Sequence, residues 1–238
     1  MSLRTALSTP DGKRRYVRRL FATIAHRYDF ITVALSYGQD RRWKRQLIAL
    51  AGVTSDDRVL DVACGTGDLL FATAPRAQQA VGLDVTFGML QLARAKARAA
   101  RCPTAFVTGD MLALPFADGR FTVVTTGYGL RNVPDLSQAV SEIRRVLQPG
   151  GRLLSLDFNR PANALVRSVY LAYLTIVGSA LGLVLHRDPD TYRYIPESIR
   201  NYPGATGVAA ILEQSGFGDV RVIPLLAGLM AIHTGRRL

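Results

Sequence analysis

The chain has 238 residues, of which 48% are hydrophobic and 20% charged, a composition that indicates a folded globular protein and excludes a disordered one. This length allows one domain with a full core and is short for two independent domains. The 30 Lys and Arg residues against 18 Asp and Glu residues give a net charge of +12, which favours anionic partners such as nucleic acid, acidic ligands or an anionic membrane face.

The N-terminal segment 3–50 is predicted to be helical, because its apolar residues recur at helical spacing. It also carries three basic runs, at 13–15, 18–19 and 41–45. Residues 1–10 lack the apolar core of a signal peptide, and Cys64 and Cys102 have no metal-ligand spacing. We therefore expect a reducing, cytoplasmic setting and no metal site.

A glycine loop follows the first predicted strand, 58–63, and leads into a predicted helix at 68–74. The loop reads Gly65-x-Gly67, and Leu70 stands where a dinucleotide-binding loop has its third glycine. Asp61 and Asp68 flank it with negative charge, which suits a cationic ligand better than a pyrophosphate. S-adenosylmethionine, with a sulfonium, an ammonium and a ribose, fits this pattern, whereas NAD fits it poorly.

Short β-rich runs then alternate with helical runs, which predicts an α/β fold with a mostly parallel sheet between helices. The predicted strands are 80–84, 104–108, 121–126 and 152–157, and the helices are 87–99 and 136–147. Thr86 is a candidate N-cap, and Pro149-Gly150-Gly151 is expected to close the helix that precedes it. A short helix at 207–215 and an antiparallel strand pair, 220–225 and 229–234, complete the prediction.

The segment 159–203 is too long for a simple connection and is predicted to be an insertion that, with residues 1–50, roofs the ligand site. Its part 169–185 carries no charge and is close to the about 20 residues that cross a bilayer. Because this part lies between strands of one sheet, we expect a buried or interfacial helix. Core packing, substrate-tail binding and membrane-surface contact all stay open as its role.

Polar residues at strand ends predict the cofactor contacts, because ligands bind open α/β sheets at the carboxyl ends of their strands. Asp84 is expected to accept from the ribose hydroxyls and Asp110 from the adenine amino group, with Met111 against the ring. The glycine loop should pass under the amino acid part, with Thr66 donating. The predicted cofactor residues are Asp61, Gly65, Thr66, Gly67, Asp84, Val85, Asp110, Met111 and Gly127.

Three motifs resemble the ubiquinone/menaquinone biosynthesis C-methyltransferase family. The run 61–68 resembles the first motif of class I methyltransferases, and the runs 129–135 with 144–151 and 191–199 resemble this family more specifically. The resemblance covers about residues 21–235 and implies one class I methyltransferase domain over 1–238. That fold is Rossmann-like, with a mostly parallel seven-stranded sheet, an antiparallel edge, and an apolar substrate-binding insertion. The implied activity is transfer of a methyl group from S-adenosylmethionine to a ring carbon of a polyprenyl quinol.

Such a transfer needs a quinol whose hydroxyl loses its proton, although a phenol pKa of about 10 opposes that. Arg131 is expected to stabilise the phenolate and Asn132 to hold a quinol oxygen; a salt bridge and a helix-capping turn are the alternative roles. The proton acceptor stays open between Asp29, the 192–194 segment and a water held by Arg131. The predicted catalytic residues are Arg131, Asn132, Asp29 and Tyr194, and the predicted substrate residues are Tyr28, Tyr128, Tyr192 and Arg193.

The chain departs from the family pattern at three places. Thr32-Val33 replaces an Asn-Asp pair, Gly38-Gln-Asp-Arg41 replaces Gly-x-His-Arg, and Gly127 replaces a serine. The first two lie in the roof and put the substrate's identity in doubt. Menaquinol and ubiquinol precursors are therefore both open, and so is another lipid or small aromatic acceptor, for example a phospholipid amine.

Other functions are disfavoured by particular residues. A nucleic acid substrate is disfavoured because Thr126-Gly-Tyr-Gly stands where exocyclic-amine methyltransferases have an Asp/Asn-Pro-Pro-aromatic motif. A scaffold without chemistry is disfavoured because Asp61, Asp84 and Asp110 are all present. We expect a cytoplasmic enzyme, peripheral at the inner face of the plasma membrane, that contacts anionic lipid; homo-oligomerisation stays open.

Overall fold

The computed structural model describes residues 3, 7, 9–36 and 38–238; the rest of the predicted N-terminal helical segment, including residues 4–6, 8 and 37, lies outside the described residues. The N-terminal segment forms three helices: α1 (Pro10–Ile24), α2 (Tyr28–Leu35) and α3 (Asp40–Ala51). Thr9 begins α1 as its N-cap, since its side chain accepts from the Gly12 N–H, and Gly52 ends α3 in the left-handed conformation, at φ 54°.

A seven-stranded sheet forms the centre of the molecule, in the order β3-β2-β1-β4-β5-β7-β6. Its parallel part contains β1 (Arg58–Val62), β2 (Gln79–Asp84), β3 (Ala105–Thr108), β4 (Phe121–Gly127) and β5 (Leu147–Phe158). The connecting helices are α4 (Asp68–Thr73), α5 (Phe87–Ala99) and α6 (Leu136–Val146). The predicted fold class is confirmed.

The insertion after β5 contains α7 (Ala164–His186) and α8 (Tyr194–Arg200), and α9 (Gly204–Gln214) follows it. The chain ends in β6 (Phe217–Leu225) and β7 (Met230–Arg237), which form the predicted antiparallel pair. Strand β7 lies between β6 and β5 and is antiparallel to both. The edge of the sheet is therefore antiparallel, as the sequence predicted.

Two local predictions were wrong in detail. Helix α6 ends at Val146, and Leu147 already pairs with Phe121 of β4, so Pro149-Gly150-Gly151 forms a bulge inside β5 instead of ending a helix. Thr86 stands at the N-cap position of α5, but its side chain makes no capping bond to that helix. The Thr86 N–H instead donates to the Asp84 carboxylate, at 2.7 Å.

Alternating residues of the strands fill two cores, one on each face of the sheet. Leu60 and Val124 face the core shared with α6 and α9, whereas Val59 and Val123 face the core shared with α3, α7 and α8. A third cluster joins α1 and α2 to Tyr192, Tyr194 and the inner side of α7. This third cluster forms the roof over the carboxyl ends of the strands.

Helix α7 is long and apolar enough to span a membrane by length and composition alone. Its inner side is buried and packs into the core and the roof cluster: Tyr170, Leu171, Leu174, Gly178 and Gly182. The opposite side is exposed, so of the two expected environments, buried or interfacial, α7 is buried on one side only.

Candidate active site

Three adjoining cavities lie beneath the roof, at the carboxyl ends of the parallel strands. We call them the cofactor cavity, of about 740 Å³ including its open mouth, the apolar cavity, of about 540 Å³, and the polar cavity, of about 300 Å³. Tyr28 of α2 and Tyr128 after β4 line all three. These two rings are therefore the walls between the compartments.

Asp84 ties the cofactor cavity to the glycine loop. Its carboxylate is buried at the end of β2 and accepts from the N–H groups of Gly65, at 2.9 Å, and Thr86, at 2.7 Å. Burial raises the pKa of Asp84, although these hydrogen bonds oppose the rise. Each oxygen accepts one backbone bond and can accept another, so the carboxylate can receive a pair of ligand hydroxyls.

The loops around this cavity approach each other too closely for larger side chains. Gly67 has φ 93°, and a Cβ there would lie 2.7 Å from the Phe71 ring. A Cβ on Gly129 would lie 2.5 Å from Thr126 Oγ1 and 2.9 Å from Ala63 Cβ. The positive φ at Gly67 therefore favours glycine, and Gly129 leaves no room for a side chain between Thr126 and Ala63.

Two charges of opposite sign meet at Asp110, on the other side of the cofactor cavity. Its carboxylate accepts from the Leu112 N–H, at 2.9 Å, and lies 3.2 Å from Arg14 Nε of α1. Arg14 also lines the cavity, a position that the sequence analysis did not single out. Helix α1 is therefore a wall of the cofactor cavity as well as part of the roof.

The polar cavity contains the carboxylates of Asp61 and Asp68 together with Lys44 and Thr66. Asp61 accepts from Thr125 Oγ1, at 2.8 Å, and burial raises its pKa to about 7. Lys44 lies 2.7 Å from Asp40 and 2.8 Å from Asp68, and these acids raise the pKa of Lys44 against the effect of its burial. Charges of both signs thus face a small space, as an α-amino acid group requires.

The apolar cavity has one charged side chain among its lining residues, Arg131. Arg131 is only 6% exposed; its Nε lies 3.1 Å from Asp157 Oδ1, and its guanidinium carbon lies 4.9 Å from the centre of the Phe158 ring. Asp157 also accepts from the Arg131 backbone N–H. The salt bridge named as an alternative role for Arg131 therefore exists, and it holds the guanidinium at the wall of the cavity.

Asn132 connects this arginine to the roof. Its Oδ1 accepts from Arg131 Nη1, at 3.0 Å, and from the Tyr194 hydroxyl, at 3.1 Å. Its Nδ2 donates to the Tyr128 carbonyl, at 2.6 Å, so it does not cap the following helix, whose N-cap is Asp135. Arg131, Asn132 and Tyr194 are thus one hydrogen-bonded group, which Ser198 extends by accepting from Arg131.

Tyr128 is fixed by a residue that departs from the family pattern. Its hydroxyl donates to Asp40 Oδ1, at 2.7 Å, and Asp40 is 2% exposed. Burial and the nearby Asp40 raise the pKa of Tyr128 well above its ordinary value, so the phenol keeps its proton. Asp40 stands in place of the histidine of Gly-x-His-Arg and connects Tyr128 to Lys44.

Most of the predicted site residues lie together, and three lie apart. Asp29 is exposed on α2 and accepts from Thr66 Oγ1, at 2.7 Å, and from Lys96 Nζ, at 2.5 Å, which lower its pKa although partial burial opposes this. Arg193 is exposed and pairs with Asp190. Asp29, Arg193 and Gly67 are the three residues that lie apart, since none of them lines any of the three cavities.

Sequence reasoning missed Arg14, Asp40 and Asp157. Arg14 belongs to a basic run that looks like a solvated surface, and Asp40 reads as a departure from the family pattern. Asp157 is the next-to-last residue of β5, the neighbour of β4 in the sheet, so the rule that singled out the other strand-end acids would have found it.

The residues of the cofactor and polar cavities fit S-adenosylmethionine. Asp84 and Asp110 offer acceptors for hydroxyl and amino groups, and Val85, Met89 and Met111 offer an apolar surface for a flat ring. Asp61 and Asp68 offer negative charge to an ammonium group. Within the described residues no cluster of metal-ligating side chains is found.

Comparison with known proteins identifies the family. Residues 9–237 match the model of the ubiE/COQ5 methyltransferase family. The chain is 41% identical over 220 residues to a demethylmenaquinone methyltransferase of Thermus thermophilus, covering 92% of this chain and 100% of that protein. It is 38% identical over 234 residues to a ubiquinone/menaquinone biosynthesis C-methyltransferase UbiE of Azotobacter vinelandii, covering 96% of this chain and 92% of the relative.

Solved structures share the fold. A SAM-dependent methyltransferase from Thermotoga maritima superposes with a TM-score of 0.64 at 15% identity, covering 93% of this chain and 100% of that one. Another from Aquifex aeolicus gives a TM-score of 0.59 at 15% identity, covering 82% and 89%. Together with the sequence relatives and the geometry of the site, these likenesses show that the chain belongs to the ubiE/COQ5 methyltransferase family and is an S-adenosylmethionine-dependent methyltransferase.

Proposed function

We propose that the protein methylates a ring carbon of a polyprenyl quinol in menaquinone or ubiquinone biosynthesis. The observation that carries this proposal is the apolar cavity, which adjoins the cofactor cavity across Tyr28 and Tyr128 and has Arg131 in its wall. A quinol has an apolar ring and tail and a polar hydroxyl, so it matches a space with this lining. The names of the relatives support the same substrate class.

S-adenosylmethionine supplies the methyl group, as an electrophile on its sulfonium. The protein's part is to bring the quinol carbon into line and make it nucleophilic. Arg131 is held by Asp157 on one side and hydrogen-bonded to Asn132 and Ser198 on the other, so its charge is fixed before the quinol arrives. A fixed cation beside a quinol hydroxyl stabilises the phenolate and lowers the pKa of that hydroxyl.

The residues that line the apolar cavity include no carboxylate and no imidazole. Tyr194 donates to Asn132 and burial raises its pKa, so it stays protonated at neutral pH. Asp29 is engaged by Lys96 and Thr66 outside the cavity. We therefore propose that the quinol proton leaves to water, and that Arg131 makes this loss favourable without accepting the proton.

A polyprenyl tail keeps such a substrate in a bilayer, so we propose that the enzyme is cytoplasmic and works at the inner membrane face. The net charge of +12 supports contact with anionic lipid at that face.

The test is methyl transfer from labelled S-adenosylmethionine by the purified protein, with demethylmenaquinol and the corresponding benzoquinol offered separately in detergent under reducing conditions. Labelled quinone from either substrate supports the proposal and identifies the ring system. Cofactor binding without methylation of either quinol contradicts it.

Arg131→Ala should lower kcat about 100-fold or more, because the phenolate loses its fixed cation, while S-adenosylmethionine still binds within a few-fold of wild type. Calorimetry measures the binding and a single-turnover assay measures the rate. Arg193→Ala is the matched control, since Arg193 is exposed on the same roof and lines none of the cavities. Full turnover by Arg131→Ala would remove the arginine from the mechanism.

A further inference from the structure

The side of α7 that faces away from the protein is apolar along its whole length. Its exposed residues include Leu165 at 74%, Ile176 at 70% and Val184 at 78%. We define the outer face of α7 as Leu165, Val166, Val169, Ile176, Leu183 and Val184. At 3.6 residues per turn these six positions fall within an arc of about 100°, which makes them one continuous stripe about 30 Å long.

This concentration is unusual for the surface of a soluble protein. The outer face holds six of the thirteen large apolar residues that are exposed in the described part of the chain. Helix α2, which shares the roof cluster with the C-terminal half of α7, also carries two exposed large apolar residues, Phe30 and Val33. A continuous apolar surface of this kind marks a contact with a partner or a membrane.

Charges surround the stripe without interrupting it. Helix α7 contains no acidic residue, and exposed arginines stand at both of its ends: Arg160 before it, and Arg27 and Arg187 near its C-terminus. Of the two acids after the helix, Asp190 pairs with Arg193, and Asp188 accepts from the Thr191 hydroxyl beside Arg187. An apolar stripe between cationic ends complements an anionic bilayer, whose acyl region is flanked by negative headgroups.

The same charges argue against a second copy of the chain as the occupant. If two α7 helices met along their outer faces, arginines at the ends would meet arginines of the other copy, whether the helices ran parallel or antiparallel. Spanning the bilayer is also excluded, because the inner side of α7 is packed against the sheet and the roof.

We propose that the outer face of α7 is a membrane-docking surface, on which the helix lies in the plane of an anionic bilayer at the boundary between headgroups and acyl chains. This inference rests on the proposed function, in which the apolar cavity holds a quinol from the membrane. The opposite side of α7 supplies Val177, Leu181 and Leu185 to the cluster that contains Tyr192 and Tyr194 of that cavity. One helix therefore separates the bilayer from the wall of the substrate cavity.

The experiment is sedimentation of the full chain with vesicles of phosphatidylcholine alone or mixed with phosphatidylglycerol, without substrate. Wild type should bind the mixed vesicles. The double variant Ile176→Gln/Leu183→Gln should bind them at least about 10-fold more weakly, because both side chains lose apolar burial at the acyl boundary. Leu50→Gln, at an exposed apolar residue of α3 that is not part of the outer face of α7, is the matched control and should bind like wild type.

A second readout separates this inference from the proposed function. The double variant should methylate a short-tailed, soluble quinol at the wild-type rate and lose turnover only with long-tailed quinol in vesicles. Vesicle binding by wild type without methylation of any quinol would refute the proposed function alone. Equal vesicle binding by wild type and the double variant would refute the docking face, and so would a wild-type dimer in light scattering that the variant dissociates.

Discussion

At the scale of single residues, the site contains carboxyl groups whose burial disfavours their ionised form. Asp61 is 1% exposed, and burial raises its pKa to about 7. The folded protein thus binds a proton that the unfolded chain, with a carboxyl pKa of about 3.9, has already lost in the range from pH 4 to 7. The free energy of unfolding accordingly falls as the pH rises through this range. Above pH 7 the destabilisation that Asp61 causes has reached its full size.

Asp61→Asn removes that loss while keeping an oxygen that can accept from Thr125. We expect its free energy of unfolding to exceed that of wild type by on the order of 1–4 kcal/mol above pH 7 and to equal it below about pH 4. The same change should weaken S-adenosylmethionine binding about 10-fold, because the polar cavity loses a negative charge. Denaturant titrations across the pH range and calorimetry measure the two effects; a variant less stable than wild type at pH 8 would contradict the argument.

At the scale of elements, one lysine connects helix α1 to the segment 131–133, which contains Arg131 and Asn132. Lys13 Nζ donates to the backbone carbonyls of Arg131, at 3.1 Å, and Val133, at 2.6 Å, and burial with the nearby Arg131 lowers its pKa to about 8. Arg14, the next residue, pairs with Asp110 across the cofactor cavity. Two neighbouring side chains, Lys13 and Arg14, therefore hold α1, a part of the roof, over the cofactor cavity.

Lys13→Met keeps an unbranched side chain that is one atom shorter and removes both hydrogen bonds. Amide exchange in 10–24 should become about 10-fold faster, which corresponds to about 1.4 kcal/mol of local opening, and S-adenosylmethionine should dissociate faster. Arg15→Met is the control, since Arg15 is exposed on the same helix. Unchanged exchange in α1 would mean that packing against Tyr194 and its neighbours holds the helix without Lys13.

Elements with a clear local pattern were predictable, and those set by distant contacts were not. The bounds of α5, residues 87–99, and the antiparallel end of the sheet follow from helical and strand periodicity. The pairing of Asp40 with Tyr128 joins residues 88 apart in sequence, and no local pattern announces it. Asp29 directly follows the site residue Tyr28 in sequence, but its position on α2 directs its carboxylate to Lys96. Helix α7 is apolar on every side, so only the packing reveals which side faces outward.

At the scale of the whole molecule, the roof is one body that covers two ligands. Phe21 of α1 lines both the cofactor cavity and the apolar cavity, and so do Tyr28 and Tyr128. A ligand in either cavity therefore immobilises part of the wall of the other. The conformational entropy lost on ordering that shared wall is lost only once, whichever ligand binds first.

Thermodynamic linkage then fixes a relation that no single structure displays. If a quinol analogue tightens S-adenosylmethionine binding by some factor, S-adenosylmethionine must tighten binding of the analogue by the same factor. Calorimetry in both orders of addition should give two equal factors greater than one, and a factor of one would mean that the shared rings are already rigid. A molecule that joins a nucleoside to an apolar ring would occupy both cavities and gain the binding free energy of both. It should therefore bind this enzyme more tightly than a methyltransferase whose two sites share no side chains.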